Sequence, residues 1–132
     1  MDRAELETVW APRLLGILRI VAAVLFMEHG TQKLFGVPTP AHGMPEAFTL
    51  LWFAAVLEVF GGFLLLIGLF TRPVAFILSG QMAVAYWMAH APQSIYPALN
   101  GGDAAILFCF IFLYLVAAGP GAFSLDGARA PK

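Results

Sequence analysis

Ionisable and amide side chains set inside long apolar runs are the part of this 132-residue chain that could do chemistry. A first run holds Arg19, Glu28, His29, Gln32 and Lys33, and a second holds Glu58. A third holds Gln81, Tyr86 and His90, and Asp103 opens a fourth. A carboxylate, an imidazole and an amine gathered at an apolar cavity can hydrogen-bond a ligand and relay protons. Other chemistries find less footing. The histidines His29, His42 and His90 follow no recognised ligand spacing, so no metal is expected. Cys109, the single cysteine, stands among Phe108, Phe110 and Phe112 and reads as a buried apolar residue. On its own it excludes a dithiol pair within one chain. No phosphate loop or dinucleotide fingerprint is present.

The elements that must position these groups follow from composition. The chain is 61% hydrophobic and 11% charged, with a mean hydropathy of +0.84. A soluble domain carries about 25% charged residues, so this composition cannot cover a domain with a water-facing surface. An ordinary soluble enzyme is excluded, as is a disordered tail. The net charge of −1 excludes a basic nucleic-acid binder. A membrane span needs roughly 20 predominantly apolar residues, and four stretches qualify: about 14–35, 48–70, 73–91 and 103–118. Gly/Pro-rich segments separate them. The runs do not alternate as barrel strands would. The expected fold is therefore all-α, a single integral membrane domain over 1–132 built as a four-transmembrane-helix bundle. Arg19 interrupts the first apolar run and no small-x-small site precedes Glu28, so the first helix is expected to be retained rather than cleaved.

Orientation follows the distribution of Lys and Arg. Arg3, Arg13, Arg19, Arg72, Arg129 and Lys132 fall at one side of such a bundle and only Lys33 at the other. Both termini are thereby expected in the cytoplasm. Counting 1.5 Å per residue from each cytoplasmic end puts Glu28, His29, Glu58, Tyr86, His90, Asp103 and Lys33 at roughly 18–28 Å, in the outer half of the bilayer. Arg19 and Gln81 fall lower, at roughly 8 and 12 Å. Glu58 shares its helix face with Ala54, Ala55, Gly61 and Gly62, small residues that let a neighbouring helix approach. Its carboxylate is expected against protein, either in a structural ion pair or in a functional role. Arg13 and Arg19 read as residues that reach the cytoplasmic surface, and Arg72 as a cation ending the second helix. Trp52, Trp87 and Tyr96 suit the outer interface.

The chain resembles the DoxX family of small bacterial inner-membrane proteins. The likeness is carried by His29-Gly30-Thr31-Gln32-Lys33-Leu34-Phe35-Gly36 and by the stretch from Glu58 through Gly61-Gly62 and Gly68 to Thr71-Arg72. Gly101-Gly102-Asp103 and the ending Gly119-Pro120-Gly121-Ala122-Phe123-Ser124-Leu125-Asp126 complete the ordered set. The resemblance implies a multi-pass protein of the inner (plasma) membrane and weights His29, Gln32, Lys33, Glu58, Gly61, Gly62, Arg72 and Asp103. It also implies a link to membrane redox systems, because the family is similar to the smaller membrane subunit of an archaeal thiosulfate:quinone oxidoreductase. His29, Gln32, Lys33, Glu58, Tyr86, His90 and Asp103 are then the pocket candidates, and quinone the candidate cofactor. Beyond the lipid bilayer, the expected partners are other membrane or redox subunits, or further copies of the chain. A non-enzymatic accessory subunit of a larger membrane complex is the alternative reading. A small-solute carrier is a weaker one, since neither internal repeats nor broken helices are evident.

Overall fold

The structure is a computed structural model and describes residues 1–131. Among these residues it is all-helical. Helix α1 runs over Arg3–Phe35, starting with the Asp2 carboxylate accepting from the Glu5 amide (2.8 Å) and passing through a π-helical turn at Leu6–Trp10. It therefore begins well before residue 14, where the apolar run starts, because Asp2 supplies an N-cap and Pro12 lies in a helix already under way. Gly36, at φ 69°, stops it.

Helix α2, Leu50–Ile67, begins at Thr49, whose hydroxyl accepts from the Trp52 amide, and ends at Gly68 (φ 66°). Helix α3, Thr71–Ala85, continues through a π turn at Tyr86–His90 and a 3-10 turn at Ala91–Gln93. A short α4 (Pro97–Asn100) precedes α5, Asp103–Ala118, and α6 (Leu125–Arg129) closes the chain. Among the described residues, α1 and α2 are the helices both long and apolar enough to cross a membrane by length and composition; α5 is apolar but shorter.

The long helices pack as two tight pairs, α1 on α2 and α3 on α5, joined more loosely between α2 and α3 and least between α1 and α5. Small residues set the tight contacts. Gly30 faces the Glu58 side chain and the Val59 backbone, where a methyl group would come within 2.8–2.9 Å. Gly61 gives the same room to Leu78. Across the second pair, the Ser79 hydroxyl donates to the Cys109 carbonyl at 2.8 Å. The core is a column of Ala23, Phe26, Leu65, Leu78, Phe112 and Leu115. Phe26 meets Phe108 and Phe112 edge to face, with centroids 5.5 and 5.0 Å apart.

One end of the bundle, termed basal here, is tied by the last residues of the chain. The Ala122 amide donates to the Pro12 carbonyl (2.8 Å) and the Asp126 amide to the Gly68 carbonyl (2.9 Å). The Asp126 carboxylate accepts from the Phe70 and Thr71 amides at 2.9 and 2.8 Å, capping the start of α3. Partial burial pulls its pKa upward, but the Thr71 and Phe70 amides and nearby Arg129 outweigh that and hold the carboxyl below its usual range.

Arg19 does not reach a surface as its position near a helix end suggested. It is fully buried, and its guanidinium donates to the carbonyls of Pro120, Ala122 (3.2 Å) and Phe123 (2.7 Å). Arg72 does not end α2. It lies in the first turn of α3 and donates to the Val116 carbonyl at 2.7 Å and to that of Ala117, satisfying the C-terminus of α5. Both differences have one cause. The acceptors are remote backbone carbonyls, in the segment after α5 that folds back under the bundle for Arg19 and in the last turn of α5 for Arg72, and no local spacing reports them.

The flanks are apolar. Leu14, Ile17, Val21 and Val24 on α1, Phe53, Leu57, Phe60 and Phe63 on α2, Phe76, Ile77 and Val84 on α3, and Leu107, Phe110 and Leu113 on α5 are all exposed. A continuous apolar belt of this kind exceeds what a monomeric soluble protein leaves to water. Its natural solvent is hydrocarbon.

Candidate functional site

Glu58, Lys33, Gln81 and His90 turn inward in the distal half, away from Arg19, while His29 lines the cavity there but is exposed. There the four long helices line a half-open cavity of about 680 Å³ with mostly apolar walls, a size suited to a small-molecule ligand. Glu58, 3% exposed, reaches it from α2. Lys33, one turn beyond Gly30 on α1, donates from Nζ to Glu58 Oε1 and Oε2 at 2.8 and 3.0 Å. This bidentate contact exists because Gly30 carries no side chain and lets α2 come close enough for the lysine to reach across. The lysine side chain remains 30% exposed, so water or a ligand headgroup can reach the ammonium while the carboxylate is enclosed.

Gln81 of α3 completes the group. Its Nε2 donates to the Ala54 carbonyl at 3.2 Å and to Glu58 Oε1 at 3.4 Å. Because a backbone carbonyl can only accept, the amide nitrogen must face Ala54. Gln81 Oε1 is then left buried without a donor. His29 lines the same cavity, with its ring edge-on to Phe108 at 6.3 Å.

His90 lines the cavity near its distal rim, and its Nδ1 is hydrogen-bonded with the Asn100 carbonyl (3.0 Å). Asn100 is buried and organises the rim. Its Nδ2 donates to the Ser94 carbonyl (2.9 Å) and the Tyr86 hydroxyl (3.3 Å), and its Oδ1 accepts from the Gly102 amide (2.8 Å). Gly102 lies so close to the Tyr86 ring that a methyl group there would come within 2.6 Å of it.

Of the seven pocket candidates read from the sequence, His29, Lys33, Glu58 and His90 line the cavity. The other three stand elsewhere. Tyr86 supports the rim through Asn100, and the Gln32 amide donates to the Thr39 carbonyl of the following loop (3.3 Å). Asp103 is exposed at the first turn of α5, where a carboxylate suits the helix dipole. Glu28 is exposed on the far side of α1.

Two residues were missed by sequence reasoning. Counting depth from Pro73 sets Gln81 too low, because α3 starts at Thr71 and α2 ends at Ile67. Glu58 and Gln81 stand at equal distances from that turn, and this symmetry was the available signal. Asn100 lies in a loop and carried no periodic signal. Among the described residues, no three His, Cys, Asp or Glu side chains are grouped to hold a metal ion.

An all-helical bundle with an apolar belt and inward-turned ionisable groups is a small helical membrane protein whose mostly apolar cavity holds a few ionisable groups. Comparison with known proteins agrees. Residues 14–91 match the DoxX family model. A Haemophilus influenzae protein, described as uncharacterized, is 43% identical over 122 residues, covering 89% of this chain and 91% of its own. The inner membrane protein YphA of Escherichia coli is 30% identical over 126 residues, covering 87% and 89%. No solved structure matches. The chain belongs to the DoxX family.

Proposed function

We propose that this DoxX-family protein is a multi-pass inner-membrane protein with four spans and both termini in the cytoplasm, and that its distal cavity binds a quinone for a membrane redox system. The observation that carries this reading is the Lys33–Glu58 pair held inside an otherwise apolar cavity between helices. Charge at such depth is costly and normally marks a site. The four-span count is supported by the way α3 and α5 pack beside α1 and α2 with the same apolar flank. The cytoplasmic side is supported by the basic residues of the basal end, and the inner membrane by the name of the YphA relative.

The lining fits such a ligand, with apolar walls for a ring and a few polar groups converging on one side. A quinone supplies a carbonyl pair that takes up two electrons and two protons on reduction to the quinol. Lys33 Nζ is the donor for one carbonyl oxygen. The Glu58 carboxylate takes the proton from that oxygen on oxidation of the quinol, and its protonated form returns it on reduction, while Gln81 Nε2 holds the group in place. His29 offers a second nitrogen on the same cavity wall. Electrons come from a partner protein or a reduced substrate, since the chain carries no redox-cofactor motif. Purified protein in nanodiscs should bind ubiquinone or menaquinone, and Glu58→Gln and His29→Ala should each weaken binding. Unchanged affinity in both variants, with the helical signal intact, refutes the pocket.

A further inference from the structure

The wall between α2 and α3 differs from the rest of the cavity. Leu57 and Phe53 on one side and Ile77 and Val84 on the other line the cavity and are 42–55% exposed. Side chains therefore do not seal the cavity at this wall. Between them stands Gly80, exposed and cavity-lining, where an added methyl group would meet nothing within 4 Å. The next residue is Gln81, which holds Glu58. The polar group therefore lies directly behind a gap open to the bilayer. One turn or so deeper, Gly61 and Leu78 pack tightly and close the groove.

We propose that this gap is a lateral doorway for a membrane-dissolved, tail-bearing ligand, with Gly80 as its sill. The headgroup sits at Lys33 and Glu58, and its isoprenoid or alkyl tail lies between α2 and α3 in the hydrocarbon. The proposal rests on the quinone reading and narrows it to tailed quinones that arrive through the bilayer rather than from water. A groove as apolar as the lipid it borders guides a tail without gripping it, because moving the tail between the two releases no ordered water. Exchange with the membrane pool is then unobstructed, and selectivity resides in whether the tail has a way out. Gly80 determines this, because a side chain there starts into open space and extends across the gap.

The test compares two ligands in nanodiscs of fixed lipid content: a dimethoxy-methyl benzoquinone bearing a decyl tail, and the same ring without it. Wild-type protein, Gly80→Leu and Gly80→Trp are measured side by side, so that tail partitioning into lipid cancels. The expected result is a loosening of the decyl ligand by about ten-fold or more in Gly80→Trp, smaller in Gly80→Leu, with the tailless ring within about two-fold of wild type. Retained ring binding also shows that the variants fold. Unchanged binding of both ligands in both variants overturns the doorway and leaves the quinone reading standing. Equal loosening of both overturns it as well, since Gly80 would then shape the headgroup seat. Failure of wild-type protein to bind either ligand refutes the quinone reading and the doorway with it.

Discussion

The Lys33–Glu58 pair should behave as one unit, and a double-mutant cycle measures this. Lys33→Met leaves the Glu58 carboxylate enclosed with only the longer Gln81 contact at 3.4 Å. Removing one partner of a fully buried pair costs about 3–5 kcal/mol. The lysine side chain is 30% exposed, so part of its charge was never desolvated, and the expected cost falls to about 2–4 kcal/mol. Glu58→Gln keeps the shape and leaves an ammonium that water can reach, so about 1–2 kcal/mol is expected. The double variant removes the orphaned charge as well as its partner. It should be more stable than Lys33→Met alone, with a coupling of about 1–3 kcal/mol. Thermal unfolding followed by the helical circular dichroism of detergent-solubilised protein reads these as downward shifts of roughly 3–5 °C per kcal/mol for a chain of this size. A double variant that falls by the full sum of the single shifts would show that the two groups act independently. The pocket would then lose its central contact.

Three further outcomes follow from the packing. Arg19→Leu strips donors from three carbonyls at once and should cost about 3–5 kcal/mol, with the C-terminal segment turning protease-sensitive in a limited trypsin digest; a variant as stable and as resistant as wild type refutes the tie. Asp126→Ala removes the cap of α3 and should cost about 1–2 kcal/mol near pH 7. Because the folded pKa of Asp126 lies below its unfolded value, the cap contributes fully above about pH 4 and fades as pH falls through the lowered folded value, so wild type and variant should converge in acid melts. Gly30→Ala gains about 1 kcal/mol in helix propensity but drives a methyl group to within 2.9 Å of the Val59 backbone, and the clash should win by about 1–2 kcal/mol in the same melts.

Much of this arrangement is legible from residue types because hydrocarbon is an exacting solvent. Glu58 among Ala54, Ala55, Gly61 and Gly62 had to face protein, and it does. Lys33 and His29 follow from their depth and their place on α1. What local spacing cannot convey is a partner supplied by irregular backbone. The acceptors of Arg19 are carbonyls about a hundred residues away, and those of Arg72 are the exposed end of α5. Asn100 was hidden for the same reason, since its value lies in bridging Ser94, Tyr86 and Gly102 across a loop. The family resemblance brings Gln32 into the pocket set, and resemblance and depth together bring Asp103. Neither fixes azimuth, and both side chains turn elsewhere.

The clasp on Arg19 also sets an order of events during synthesis. A guanidinium in α1 must wait for carbonyls made about a hundred residues later, Pro120 to Phe123. Until they emerge, helix one has to leave that charge with water or lipid phosphates, and the hairpin α2–α3 lacks the carboxylate of Asp126 at its turn. A nascent chain halted after Ala118 would hold every long helix and still be unlatched at its foot, so the bundle locks only once the segment after α5 has been made.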